Sequence, residues 1–498
     1  MSSVVVLGAI MSILDTTIVN VALDTLGRDL HATLASVQWV TTGYLLSLSI
    51  VIPLTGWAIE RFGAKRLWMT SVLVFLVGSA LAGMAWNIQS LILFRVLQGF
   101  GGGMIMPVGQ TILAQAAGPH RMGRVMSIIG VPMMLGPVLG PVLGGVLVQD
   151  ISWRWIFYVN IPIGAAALVI AAKVLPRPSV PGHHRLDGVG LALLSPGLAI
   201  LVYGLSEASS GGGFASGKAL APIVAGLALT AAFVAHSARR GPNALIDVKL
   251  FRDVPFSAGA ATSFLFGVAL FGAMILLPLY YQIVRGEGAL ATGLLLTPQG
   301  VGMALVMPIS GRMTDRVGAG KIVPVGLAIT LLGTLPYCLV GAHTPYGLLL
   351  GALFVRGFGM GFVMMPAMAA AYATLGRDAV PRATTALNII QRIGGSVGTA
   401  FLAVMLERYM KAALPGAAGH AGAGFAALSS IPDAIRQQVA PPLAHAFGKT
   451  YWISLVLIAV VYIPGWFLPR RPPEFPPATP GRAVPAGHPE ADPVVEMM

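Results

Sequence analysis

Fourteen apolar stretches of membrane-spanning length recur along the 498-residue chain, and that recurrence limits the possible folds more than any other feature. They lie near residues 2–23, 38–59, 67–86, 89–115, 125–148, 155–175, 188–206, 219–236, 255–279, 290–310, 322–341, 346–372, 384–406 and 450–468. About 20 apolar residues at a rise of about 1.5 Å cross the hydrocarbon core as a helix. Within lipid every backbone polar group must be satisfied inside the segment, so an all-α polytopic membrane protein with 14 transmembrane helices is expected. Composition agrees, because 56% hydrophobic and 10% charged residues lie far from the balance of a soluble domain. The net charge of +13 does not point to nucleic acid, since the basic residues fall in short loops between apolar spans and mark topology at the lipid bilayer. The single cysteine, Cys338, lies inside a span, so no intrachain disulfide is expected. The first span carries Asp15 and has neither a basic leader nor a small-residue cleavage site, so no signal peptide is expected.

An even number of spans puts both ends on one side. Lys and Arg number about 20 on the loops of the side carrying Arg61, Lys65 and Arg66 and about 8 on the other, which places both termini in the cytoplasm of a multi-pass inner (cytoplasmic) membrane protein. An internal repeat sets the architecture. Gly56, Glu60, Arg61 and Gly63 after the second span return at identical spacing as Gly311, Asp315, Arg316 and Gly318 after the tenth. A looser echo relates Arg95 and its glycine run to Arg356 and the glycines that follow it. Two six-span halves, 1–176 and 254–468, are therefore expected, with a substrate site at their interface. Residues 177–253 read as a linker and two inserted spans, 407–449 as an extracytoplasmic loop, and 469–498 as a disordered cytoplasmic tail.

Asp15 is the only carboxylate deep in any span. A charge at the centre of a bilayer helix costs about 2.5–3.5 kcal/mol on insertion scales, so Asp15 should face water or a partner, or be neutral part of the time. A carboxyl group whose protonation follows its surroundings is what proton coupling requires. Arg95, which cannot lose its charge, is its expected counter-charge. In the fifth span Gly136, Gly140 and Gly144 recur every four residues, giving a strip on which a neighbouring helix can approach and slide, while prolines at 132, 137 and 141 should bend the helix. Glu60 and Asp315 sit at span ends where an acid can accept bonds from a helix N-terminus, and Arg61, Lys65 and Arg316 can pair across the halves to form a latch. Candidate substrate-cavity residues are Asn20, Trp39, Tyr44, Gln98, Phe264, Phe266, Asn388 and Arg392, with methionines 360, 364, 365 and 368 as adaptable apolar lining. Trp153 and Trp155 read as interfacial anchors. The glycine runs follow no strand and have no phosphate-binding lysine, His183 and His184 have no ligand set, and no Ser-His-Asp arrangement is legible. No metal, cofactor or enzymatic activity is expected.

Five stretches in order together resemble one family across essentially the whole chain: Leu14 to Leu23 around Asp15, Gly56 to Lys65, Arg95 to Gly99, the run Gly136, Pro137, Gly140, Pro141, Gly144 and Gly145, and Trp153 to Gly164. The resemblance is to the fourteen-span drug:proton antiporters of the EmrB/QacA type, within the major facilitator superfamily. It implies a major facilitator fold, proton-coupled efflux of amphipathic small molecules such as drugs, antibiotics or secondary metabolites, and roles for Asp15 and Arg95 in the proton site. It implies the antiporter motif for the glycine–proline run. An importer or uniporter of a defined metabolite is the alternative, and a periplasmic adaptor partner is left open. The resembled family usually has aspartate where Glu60 stands. Exporters of dications tend to have extra acids in the second half; here that half has none deep in a span and instead carries Arg356 and Arg392, so dications should be disfavoured.

Overall fold

The computed structural model describes residues 1–117, 121–176, 185–209, 213–376, 378–413 and 433–471, and among these there is helix and no strand. In the first part of the chain the helices are α1 (Ser2–Asp29), α2 (Leu34–Val51), α3 (Thr55–Phe62), α4 (Ala64–Gly83), α5 (Ile88–Ala117), α6 (Met122–Val146), α7 (Trp155–Tyr158) and α8 (Asn160–Val174). An additional pair follows, α9 (Gly188–Glu207) and α10 (Gly217–Arg240). The remainder comprises α11 (Val254–Leu279), α12 (Ala289–Val317), α13 (Ala319–Cys338), α14 (Tyr346–Gly361), α15 (Met364–Tyr372), α16 (Val380–Ala413), α17 (Asp433–Val460) and α18 (Tyr462–Gly465).

Thirteen stretches among the described residues are helical, long and apolar enough to cross a membrane. The remaining expected span, 125–148, falls on α6, which is 25 residues long and helical through Pro132, Pro137 and Pro141 before a π-helical turn at Leu147–Ile151. Pro53 lies in the 3₁₀ turn Ile52–Leu54 that separates α2 from α3 within the second span. The expected loop 407–449 is shorter than the sequence implies. Helix α16 runs to Ala413 and α17 begins at Asp433, leaving 414–432, like most of the linker and the tail from 472, outside the described residues.

The repeated motif folds the same way twice. Gly63 ends α3 with φ 81° and Gly318 ends α12 with φ 86°, and each opens the next span. Only glycine adopts this backbone region without a steric penalty, which accounts for the last glycine of each copy. Lys65 then turns back to cap α8, its Nζ donating to the carbonyls of Ala172 at 2.8 Å and Leu175 at 2.7 Å, where a helix C-terminus favours a cation.

Packing follows from which faces are apolar. Helix α1 rests on α5, α6 and α8, α12 on α6 and α14, and α11 on α16. The pair α9 and α10 pack on each other, and α9 touches both α2 and α16. Helix α10 is largely exposed, as befits a lipid-facing span. Trp153 corrects the expectation of an interfacial anchor: it is 1% exposed and lies edge-on to Phe157, whereas Trp155 is 48% exposed.

Candidate functional site

Four helices converge on Asp15, which has no exposed surface. Arg95 Nη1 from α5 donates to Asp15 Oδ2 at 2.6 Å and to Gln98 Oε1 at 2.7 Å. Gln98 Nε2, one helical turn on, donates to Asp15 Oδ1 at 2.8 Å. Asn160 Nδ2, the first residue of α8, reaches the same Oδ1 at 3.0 Å and Ser79 Oγ of α4 at 3.1 Å. Ser79 in turn donates to the Phe157 carbonyl at 2.9 Å. Arg95 completes its contacts with the Val40 carbonyl at 3.4 Å and with the Tyr44 ring, 4.0 Å from its guanidinium carbon. An ion pair stays in a low-dielectric interior only where its spare lone pairs and protons are also satisfied, and this network does that for the ionised carboxylate. The pairing of Asp15 with Arg95 was expected from sequence. Asn160 and Ser79 were not singled out, because an amide and a hydroxyl inside apolar spans have no periodic or spacing signal.

The glycine strip of α6 faces the helix that carries Asp15. A side chain at Gly136 would meet Ile13, one at Gly140 would meet Thr17, and one at Gly144 would approach the Ile18 carbonyl at 3.2 Å. Thr17 Oγ1 also donates to the Gly136 carbonyl at 3.2 Å. Gly145, in contrast, has nothing within 4 Å of where its side chain would begin. The strip therefore holds α6 close to the Ile13, Thr17 and Ile18 face of the helix that carries Asp15.

At the end of the bundle that carries Gly63 and Gly318, both copies of the repeated motif cross between the two halves of the chain. Glu60 accepts from Arg382 of α16 through Nε at 2.8 Å and Nη2 at 3.0 Å, a two-pronged pair. Asp315 accepts from the backbone N–H groups of Gly123 at 2.8 Å and Arg124 at 3.2 Å, the positive end of α6. The first glycine of each copy lies against the same partners: Gly56 faces Thr385 and Pro381, and Gly311 faces Gly123 and Arg124. The sequence reading had the basic residues pairing across the halves. Here Arg61 and Arg316 are exposed and the acids make the crossing bonds.

The candidate cavity residues separate into groups. Tyr44 and Gln98 belong to the Asp15 network. Trp39 is 44% exposed and stacks on Tyr203 of α9, at the flank of the added pair. Phe266 is buried in a core with Met303, Met307, Met360, Met364, Met365 and Met368, so these methionines pack rather than line an open space. Phe264 is half-buried, its backbone against Gly394. Asn20 is exposed, with Thr41 Oγ1 3.5 Å from its Oδ1. Asn388 donates to Gln110 Oε1 at 2.7 Å and Arg392 to the Leu45 carbonyl at 3.2 Å, and both bonds join α16 to the first half.

Outside the spans, Asp187 caps α9 and gathers His236, with Nε2 3.0 Å from its Oδ1, and the backbone N–H of Leu245 at 3.2 Å. Burial pushes the Asp187 carboxyl up, but bonds from Gly190 N–H, His236 and Leu245 N–H outweigh it and hold it below the ordinary value. No group of three or more potential metal-ligating side chains occurs among the described residues.

A helical bundle with the buried Asp15–Arg95 ion pair and charged contacts between its halves at one end has the build of a membrane-embedded secondary transporter. The family model described as Major Facilitator Superfamily matches residues 5–399, and the chain belongs to that superfamily. It is 43% identical over 485 residues to the multidrug resistance protein B homolog of Mycobacterium tuberculosis, covering 94% of this chain and 90% of the relative. It is 31% identical to the multidrug export protein EmrB of Haemophilus influenzae, covering 80% of this chain and 78% of the relative. The solved structure of the human organic anion transporter MFSD10 aligns with a TM-score of 0.59 over 92% of this chain and 98% of that one; at 16% identity the likeness is one of fold.

Proposed function

We propose that this multi-pass membrane protein exports amphipathic small molecules, drugs or antibiotics among them, in exchange for protons across the cytoplasmic membrane, with both termini cytoplasmic. The observation that carries the reading is the sealed network in which Asp15 is bonded to Arg95, Gln98 and Asn160, on a helix whose other face, at Ile13, Thr17 and Ile18, lies against the glycine strip of α6. Ionised, the carboxylate is satisfied by three donors. Protonated, it loses its attraction for Arg95 and becomes a donor itself. Asn160 Oδ1 has no partner among the described residues, so rotation of that amide offers an acceptor to the protonated form. The proton thereby changes which side chains hold α1, α5 and α8 together, and α1 is the helix on which α6 rests.

With the basic loops cytoplasmic, the Glu60–Arg382 and Asp315–α6 contacts close the cytoplasmic end, and the arrangement described is the one facing outward. Export of drugs accords with the printed names of the relatives, and amphipathic character with the apolar faces that a mid-membrane site must present. Everted membrane vesicles test the whole proposal. An imposed proton gradient is expected to drive uptake of an amphiphilic dye, and uptake that ignores the gradient, or that runs only in right-side-out vesicles, would refute it.

A further inference from the structure

The cross-half bonds of α16 form a ladder that stops at an arginine. From the latch end upward, Arg382 holds Glu60, Thr385 lies against Gly56, Asn388 donates to Gln110, and Arg392 donates to the Leu45 carbonyl. These residues fall at intervals of three or four, so they share one helix face. Beyond Arg392 no hydrogen bond joins α16 to the first half among the described residues. Arg392 is thus the last residue of α16 with a hydrogen bond to the first half among the described residues. It is half-buried mid-helix, on the face that α16 turns to the first half.

Its chemistry is unfinished. A guanidinium has five N–H donors. Among the described residues Arg392 has a single hydrogen-bond partner, a backbone carbonyl. No acid is available in its own half: between 254 and 468 the carboxylates are Glu287, Asp315, Asp378, Glu407 and Asp433, at span ends or in connections. Of these Asp315 is bound to α6, Glu407 is paired with Lys411 and Glu287 accepts from Tyr346. In the first half Asp15 is already neutralised by Arg95. A half-buried cation with spare forked donors between the two halves is a ready receptor for a planar or tetrahedral oxyanion.

Resting on the export proposal above, we infer that Arg392 is the specificity-determining residue of the substrate site, and that the preferred substrates are amphiphiles with one negative group, a carboxylate or sulfonate, that pairs with its guanidinium. Binding there competes with the bond to Leu45, the uppermost rung of the ladder, so occupancy by an anion loosens the contact next to Tyr44 and hence next to Arg95. Bulk and apolar character remain the business of the surrounding helices, and charge sign is set at this one position.

Two dyes with one skeleton separate the charge from everything else: 1-anilinonaphthalene-8-sulfonate and N-phenyl-1-naphthylamine, which lacks the sulfonate. In everted vesicles the wild type is expected to transport the sulfonate dye faster than the neutral one when the same proton gradient is imposed. Arg392→Gln is expected to lower the ratio of the two rates at least tenfold, and Arg392→Lys, which keeps the charge without the fork, to lower it less. If the wild type moves the neutral dye and not the sulfonate, or if Arg392→Gln leaves the ratio unchanged while both rates fall together, the inference is overturned and the export proposal stands. If the wild type moves neither dye, the export proposal fails and the inference with it. Should Arg392→Gln fail to insert, the wild-type preference alone decides.

Discussion

Arg95 and Arg356 stand on corresponding helices of the sequence repeat, both with almost no exposed surface, yet their surroundings differ in kind. Arg95 has a carboxylate at 2.6 Å, an amide at 2.7 Å and an aromatic face. Arg356 has a 3.4 Å contact to Gln299, an Nε without a hydrogen-bond partner among the described residues, and the electrostatic company of Tyr337 and Tyr451 in place of an acid. Duplication supplied both halves with a cation, and only the first also has the titratable partner. On the export proposal, proton handling is confined to the first half, while the other presents fixed positive charge.

The largest expected contrast is in stability. Arg95→Met strands a buried carboxylate and should cost about 3–5 kcal/mol, whereas Arg356→Met removes a cation that no acid balances and should be close to neutral. Thermal unfolding in one detergent measures both, and equal losses would erase the distinction between the halves. Next comes the helix contact peculiar to the acid-bearing half. Gly140→Leu drives a side chain into Thr17 and should reduce transport by at least about tenfold at normal membrane abundance, while Gly145→Leu, which meets nothing, should be felt far less. Vesicle uptake normalised to protein amount tells them apart.

A smaller effect is expected at the latch, where the two copies use different chemistry. Glu60→Gln gives up a partly solvated ion pair worth about 1 kcal/mol, enough to shift the balance between outward and inward forms roughly fivefold. Asp315→Asn gives up the charge facing the N-terminus of α6 and should shift it in the same direction. Spin-label distances across that end report the change. The smallest effect concerns Asp187. Because its carboxyl is held below the ordinary value, its contribution to stability is complete above about pH 4 and is lost only as pH falls through the depressed value. Asp187→Asn should remove that acid-side loss, as read from unfolding temperature against pH.

Much of this was legible in the sequence because it rests on patterns. Spanning hydrophobicity gave the helices, and the two Gly–acid–Arg–Gly copies gave the repeated turn with its positive-φ glycine at 63 and 318. Asp15 stood out because it is the only deep acid, and Arg95 was its natural partner. What escaped was long-range and unpatterned: Asn160 reaches Asp15 from α8 and is itself held by Ser79 of α4, and Arg382 finds Glu60 across 322 residues. Where Trp39 and Phe266 pack was not legible for a related reason, since hydrophobicity does not tell a lipid-facing, helix-packing or cavity-facing aromatic apart.

The claim that proton coupling runs through Asp15 is tested most directly by comparing two modes of transport in Asp15→Asn. The amide keeps the shape of the carboxylate and removes the titration, so gradient-driven accumulation in everted vesicles should vanish while substrate-for-substrate exchange in the absence of a gradient persists. Gradient-driven accumulation at the native rate in that variant would contradict the account.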